Sequence, residues 1–443
     1  MRVWTLVVLV PLLALAVSVS YLAWRQWRPG VAVTGTPPRF LGQKTTLQLI
    51  AEAAVGNVAA AEARVVQGGP PVVIGRHDAL RAPRIELALT VEPAAVGLRE
   101  GSATLEVWAR DDFWRPLRFT EKPAATYPVT IDLTPPRLEV LSATPYVAPG
   151  GAALAVLRTD AARVDLKIGT QAFPTFALGP EGTRVGLFAL PWNAASGTPL
   201  QVAAQDEAGN QAVRGLSTDV LPRRFRRDTI ELSDAFLQSK VPELLPQHPS
   251  GQRLIEGFLI VNRDQRRQAE DEKRRVATRT ADRMLWQGPF LQPRNTKVFS
   301  NFAETRTYRY QGRDVDTQVH FGYDLASTRR ASVPAANAGV VVFAGPLTIY
   351  GNTVIVDHGL GLMTLYGHLS TVNLKVGDPV AKGQEIGRTG TTGLAIGDHL
   401  HYEVLVNGVS VTPLEWWDAK WLRDRIAGPL VMAGFPSIPG LGR

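Results

Sequence analysis

Short apolar runs broken by glycine, proline, aspartate and asparagine fill most of this chain, and that punctuation limits what it can fold into. Between Thr46 and Val213 come "IELALTVEP", "ATLEVWARDD", "YPVTIDL", "PRLEVLSA", "ALAVLRTD", "RVDLKIG", "TRVGLFAL" and "PLQVAAQDEAGNQ". Such runs, alternating or continuous in apolar character and bounded by turn formers, read as strands. With 40 glycines and 32 prolines in 443 residues, many short strands are favoured over long helical bundles. A chain of this length exceeds one ordinary core, so several domains are expected, and the fold class is mainly β.

The stretches "LEVWARDDFW" from Leu105 and "LQVAAQDEAGN" from Leu200 resemble each other, each a strand ending in an acidic turn. Pro135-Pro136 lies between them, where one module would hand over to the next, because proline cannot donate in a strand ladder. Two β-sandwich modules of immunoglobulin type fit this spacing, over residues 44–132 and 133–222. They look like the Ig-like repeats of bacterial surface proteins. Neither carries a cluster of His, Asp or Ser, and His77 is alone.

The front of the chain differs. Val3 to Trp24 carries no charge, enough for a helix to cross about 30 Å of hydrocarbon. Tyr21, Trp24 and Trp27 form an interfacial aromatic cluster, with Arg25 and Arg28 beyond it. The run is long for a signal peptide and lacks a small-residue cleavage site, so residues 1–28 read as an uncleaved transmembrane anchor. The positive charges alone would put Arg25 and Arg28 on the cytoplasmic side.

From Arg223 to Gly288 the pattern turns helical, with Leu254, Phe258 and Val261, then Val276, Thr280 and Met284, at helical spacing. The mixed charges from Arg263 to Arg275 read as the solvated face of a connector helix. Short strands return over residues 289–420 as a compact β domain. The tryptophans of "PLEWWDAKWLRDRI" read as packing residues, and 421–443 as a C-terminal tail.

No cysteine is present, which excludes disulfides, thiolate zinc sites and a cysteine nucleophile. A formal net charge of +8 favours anionic surfaces. The basic residues are scattered apart from Arg223-Arg224-Phe225-Arg226-Arg227, and no nucleic-acid motif accompanies them.

Five of the 7 histidines, His320, His358, His368, His399 and His401, fall in the last third of the chain. "HFGYD" supplies His320 and Asp324, and "HLH" supplies His399 and His401, two residues apart on one face of a strand. A catalytic zinc site needs three protein donors and an open fourth position. No His-Glu-x-x-His is present, so the helical zinc-protease arrangement is excluded and a base must come from elsewhere. His368 in "YGHLS" is the obvious donor, since an imidazole can accept and return a proton near neutrality.

With these motifs, the stretch from Phe290 to Asp418 resembles a LytM/lysostaphin-type zinc metallopeptidase, a family that cuts peptide bonds in peptidoglycan. "VPAANAGVVVFAG", "GNTVIVDHGLGLMTLYGHLS" and "LKVGDPVAKGQEIGRTGTTG" also match the family pattern, in order. The resemblance covers under a third of the chain.

The resemblance implies that His320, Asp324 and His401 hold Zn2+, while His399 and His368 stay free for proton transfer and oxyanion stabilisation. It does not divide those two tasks between them. Asp398 stands where the family often has proline, and reads either as an orienting acceptor for a histidine or as a turn residue. His358 matches a recurrent position without a ligand role, and Tyr366 and Arg306 are candidates for shaping the cleft.

The implied function is a zinc endopeptidase cutting peptidoglycan cross-links, leaning to the D-alanyl–diaminopimelate bond. The alternative is a non-hydrolytic relative that binds wall and activates other hydrolases. Such relatives typically lose ligands, whereas every motif residue is present here. Peptidoglycan lies outside the inner membrane, so the implied location is single-pass in that membrane, with the bulk of the chain periplasmic.

Overall fold

The turn formers cut the chain into strands as their spacing predicts, and the result is mainly β. The computed structural model describes residues 3–115, 122–179, 182–247 and 253–441. It divides into two units, one taking in residues 1–136 and 205–212, the other 137–204 and 213–443.

In the first unit, the apolar helix Val3–Gln26 has exposed side chains from Val8 to Leu22, and Val8–Gln26 is long and apolar enough to cross a membrane. Two sheets follow. One orders Val31–Thr34, Thr45–Ala53 and Arg84–Val91, and the other orders Phe40–Leu41, Ala125–Ile131, Gly101–Asp111, Val58–Val66 and Val72–Ala82. Thr45–Ala53 alternates buried and exposed, as a strand with one face on a core must. Leu47, Leu49 and Ala51 meet Ala63, Val65, Leu105 and Val107 in that core. The sheet extends upstream of residue 44, because Val31–Thr34 pairs antiparallel with Ile50–Ala53.

Two four-stranded sheets follow. One orders Phe176–Ala177, Thr183–Ala189, Ala152–Thr159 and Leu138–Ala143, and the other Gln171–Pro174, Arg163–Ile168, Leu200–Gln205 and Gln211–Gly215. Ala152 to Leu157 are buried without alternation, so this strand is covered on both faces. Part of the cover is the stretch expected as a tail. Its helical turns, from Ala419 to Met432, bury Leu422, Ile426 and Leu430, and Ser142 Oγ donates to the Pro429 carbonyl at 2.6 Å. An i,i+4 apolar spacing lets so short a helical stretch dock on a sheet.

The segment expected as a wholly helical connector opens instead with a strand, Arg227–Leu232, running parallel to Glu304–Tyr310. The helices Asp234–Leu244, Leu254–Ile260 and Arg266–Ala277 follow, with Ser233 capping the first through Phe236 N. The charged stretch is split by helical period. Arg267–Asp264 and Arg274–Asp271 pair in solvent, while Ala269, Lys273 and Val276 are buried. Lys273 is thus on the core side, against the reading of a solvated face.

The C-terminal β region is built on an eight-stranded sheet. Its path runs Lys297–Ser300, Tyr323–Ala326, Leu400–Val406, Leu362–Gly367, Asn352–Gly359, Gly339–Pro346, Pro379–Val380, with Val409–Val411 folded back on Leu400–Val406. Every residue of Leu400–Val406 is buried. On one face Met363, Leu365 and Leu405 pack with Ala269 and Val276 of the connector. On the other, Tyr402 stacks on Trp417, with ring centroids 5.6 Å apart, and meets Tyr366 edge-on.

Beside them Trp416, fully buried, packs edge-to-face on Trp286 and Phe290. The tryptophans of this stretch therefore pack. Trp416→Ala would remove most of this contact and leave a cavity, and should destabilise the second unit by about 3–5 kcal/mol, read as a lower urea midpoint for that unit.

Candidate metal centre

Three neighbouring strands supply the centre. In the antiparallel register Asp324 lies opposite His401, and His401 lies opposite Gly367, so one row across the sheet carries Asp324, His401 and the residue before His368. His320 ends the strand Arg313–His320 and reaches the row through Phe321-Gly322. His399 enters at the start of Leu400–Val406, and its backbone N–H donates to the Gly390 carbonyl at 3.2 Å.

The donors converge closely. His320 Nε2, Asp324 Oδ1 and His401 Nδ1 stand 3.0 Å from one another in each pairing. A tetrahedral ion with ligands at about 2.1 Å requires donors roughly 3.4 Å apart, so this triangle suits one.

Each imidazole is also oriented for the task. His320 Nδ1 donates to the Asn301 carbonyl at 2.9 Å, and His401 Nε2 donates to Glu403 Oε1 at 2.9 Å. The nitrogen facing the centre is then the bare one in both rings. Two lone pairs and a carboxylate aimed at one point are a donor set that a cation completes.

For His320, electrostatics agree with that reading. Burial pushes the His320 imidazole down to about 4, so it is neutral and able to donate a lone pair. Burial opposes charge on Asp324 too, a cost offset by the neighbouring Arg306 guanidinium. Its second oxygen accepts from Arg306 Nη2 at 2.8 Å, leaving Oδ1 for the centre.

His368 and His399 flank the triangle, with ring centroids 4.8 Å apart and His368 5.8 Å from His401. Both present Nε2 to the cleft, because Nδ1 donates to the Thr392 carbonyl in one and to the Gly397 carbonyl in the other, each at 2.7 Å. Burial, and then the neighbouring His399 and His401, hold His368 well below the ordinary imidazole value, so its ring is neutral at neutral pH. Its backbone has φ +59°, a strained value for a residue with a side chain. The cleft above has a volume of about 400 Å³, and its apolar wall includes Ile230, Phe236, Phe299 and Leu394.

Of the other residues singled out in the sequence, Asp398 and Arg306 line the cleft and the rest fall elsewhere. Asp398 accepts from Thr389 Oγ1 at 2.5 Å and from Arg330 N at 3.1 Å, bracing a turn and not a histidine. His358 is fully buried between the Ala338 carbonyl and Thr364 Oγ1. Arg306 lines the cleft, but Tyr366 is buried with its hydroxyl accepting from Ala336 N. His77 is exposed on its strand.

Sequence reasoning missed Glu403, Lys273 and Tyr350, whose ring lies 5.0 Å from that of His401. The same-face rule that joined His399 to His401 extends by one step to Glu403.

The profile of peptidase family M23 matches residues 318–413. DD-carboxypeptidase/endopeptidase Mpg of Neisseria meningitidis serogroup B is 41% identical over 117 residues, 26% of this chain and 27% of that protein. Peptidoglycan DD-endopeptidase ShyA of Vibrio cholerae is 37% identical over 119 residues, 27% of each chain. Stage II sporulation protein Q of Bacillus subtilis is 37% identical over 140 residues, 29% of this chain and 50% of that protein. The chain thus spans about a quarter of the length of the first two relatives.

Gly322 provides a direct test of the geometry. A Cβ there would lie 2.5 Å from the Tyr402 carbonyl and 2.7 Å from His401 Nε2. Gly322→Ala should displace His401 and weaken divalent-metal binding by about 10–100-fold, measured by competition with a chromophoric chelator, while the circular dichroism spectrum stays close to that of the unaltered protein.

Proposed function

The C-terminal region carries a peptidase family M23 domain, and from that premise we propose that the chain is a zinc-dependent endopeptidase. Its substrate is the peptide cross-link of peptidoglycan, with D-alanyl–diaminopimelate as the bond cut. The observation that carries the reading is the triangle of His320 Nε2, Asp324 Oδ1 and His401 Nδ1, flanked by two imidazoles with free Nε2 atoms. Two relatives, one named a DD-carboxypeptidase/endopeptidase and the other a peptidoglycan DD-endopeptidase, support the substrate.

In this reading His320, Asp324 and His401 hold Zn2+, which when bound supplies Lewis acidity that polarises the scissile carbonyl and activates water near neutral pH. The chain's own residues do the rest. His368 and His399 present Nε2 to the cleft, one to take a proton as water attacks and the other, when protonated at Nε2, to steady the developing oxyanion, and the proton taken is then returned to the leaving amine. Arg306 fixes Asp324, and the apolar wall with Phe299 holds the peptide and excludes water.

The remaining parts fit the same function. The apolar helix anchors the chain in the inner membrane, with everything after Arg25 periplasmic. The two front modules, residues 44–132 and 133–222, are Ig-like spacers that hold residues 289–420 toward the wall. Their two-sheet order supports this: Thr45–Ala53 pairs with Arg84–Val91 while Val58–Val66, Gly101–Asp111 and Ala125–Ile131 share the other sheet, and Leu138–Ala143 pairs with Ala152–Thr159 while Arg163–Ile168, Leu200–Gln205 and Gln211–Gly215 share the other. The likeness to stage II sporulation protein Q, whose name specifies no hydrolase, bears on the alternative of a wall-binding regulator.

The full chain in detergent, incubated with isolated cell walls, should release muropeptides identifiable by mass spectrometry. A chelator or His320→Ala should abolish release, and His368→Ala should slow it by about 10²–10⁴-fold. Wall binding without release under any metal condition would establish the regulator reading instead.

A further inference from the structure

Lys273 lies on the connector helix Arg266–Ala277, upstream of the region that matches the peptidase family, and its side chain has no exposure at all. Lysine is almost never fully buried unless paired. Here Nζ donates to Glu403 Oε2 at 2.9 Å and to Glu270 Oε1 at 2.7 Å, with Tyr350 Oη and Ser410 Oγ each at 3.2 Å. Glu403 is equally buried, and its carboxylate is divided. Oε2 takes Lys273 and Ser410 Oγ, while Oε1 takes the Nε2–H of His401.

We infer that Lys273 is a positioning residue for the metal centre, acting through Glu403 on His401, so that the upstream helix completes the site. The inference rests on the reading of His401 as a metal ligand.

A purely structural ion pair is the competing explanation, and the packing argues against it. The helix already docks through Ala269 and Val276 onto Met363, Leu365 and Leu405. It is also tied at its end, where Thr280 Oγ1 and Ala281 N donate to Asp357 at 2.7 and 2.8 Å. Replacing a buried ion pair by apolar groups of similar size is often neutral or stabilising, so docking alone does not call for charge here.

What charge does supply is direction. Glu403 is held by two donors on one oxygen, which leaves the other aimed at His401 Nε2. That hydrogen bond fixes the ring and keeps the Nδ1 lone pair toward His320 and Asp324. The connector is therefore joined to the centre by a continuous line of hydrogen bonds, Lys273 to Glu403 to His401.

The test uses the full chain in detergent. Zn2+ affinity is measured by competition with a chromophoric chelator, and ligand geometry by the visible spectrum of the Co2+-loaded protein. Lys273→Met should weaken Zn2+ binding about 10–100-fold and alter the Co2+ spectrum. Thr280→Ala, which loosens the helix without touching the line to His401, should leave both unchanged.

Should Lys273→Met fail to fold because Glu403 is left charged without its cation, the Lys273→Met/Glu403→Gln double variant removes that charge and should show the same two changes. Unaltered affinity and spectrum in the folded variant would overturn the inference and leave the proposed function standing. Absence of metal binding by the unaltered protein would overturn both.

Discussion

The register of Leu400–Val406 between its neighbours is the constraint on which the site depends. Side chains alternate along a strand, so this one segment sends His401, Glu403 and Leu405 toward the connector and cleft, and Leu400, Tyr402, Val404 and Val406 to the opposite face. A slip of one residue would exchange the two sets. It would put an imidazole and a carboxylate among Tyr366, Trp416 and Trp417 without partners, at the cost of burying unpaired polar groups. The aromatic packing on the far face thus fixes the row in which Asp324 and His401 stand opposite each other.

Orientation within that row comes from acceptors on the far side of each ring. Three of the four imidazoles donate Nδ1–H to backbone carbonyls of Asn301, Thr392 and Gly397, and the fourth, His401, donates Nε2–H to Glu403. In a dry setting such hydrogen bonds are strong, and a donor without an acceptor would be costly. Each ring is held with its free nitrogen inward before any ligand arrives. The positive φ of His368 belongs to the same economy of placement, since the backbone bends sharply after Gly367 while His368 N donates to the Tyr350 carbonyl at 2.7 Å.

Much of this was legible in the sequence. Alternation and turn residues predict the strands, and the motifs "HFGYD", "YGHLS" and "HLH" bring out His320, Asp324, His368, His399 and His401. Local rules were less informative where partners are distant. The charges from Arg263 to Arg275 carry no sign that Lys273 faces Glu403 across 130 positions of sequence. Nothing near Asp398 says that Thr389 and Arg330 take its oxygens. The stretch after Trp421 reads as a tail because its apolar residues find their partners in the distant strands Leu138–Ala143 and Ala152–Thr159.

The sequence by itself determined the mainly β architecture, the apolar first helix and the set of residues able to hold a cation. These follow from periodicity, turn chemistry and donor type, which are properties of neighbouring residues. Only the tertiary structure decided that His320, Asp324 and His401 aim their donors at one point, that His368 and His399 turn Nε2 to a shared cleft, and that the upstream helix reaches the centre through Lys273. Those outcomes depend on sheet register and on buried partners far apart in the chain, and no local pattern encodes either.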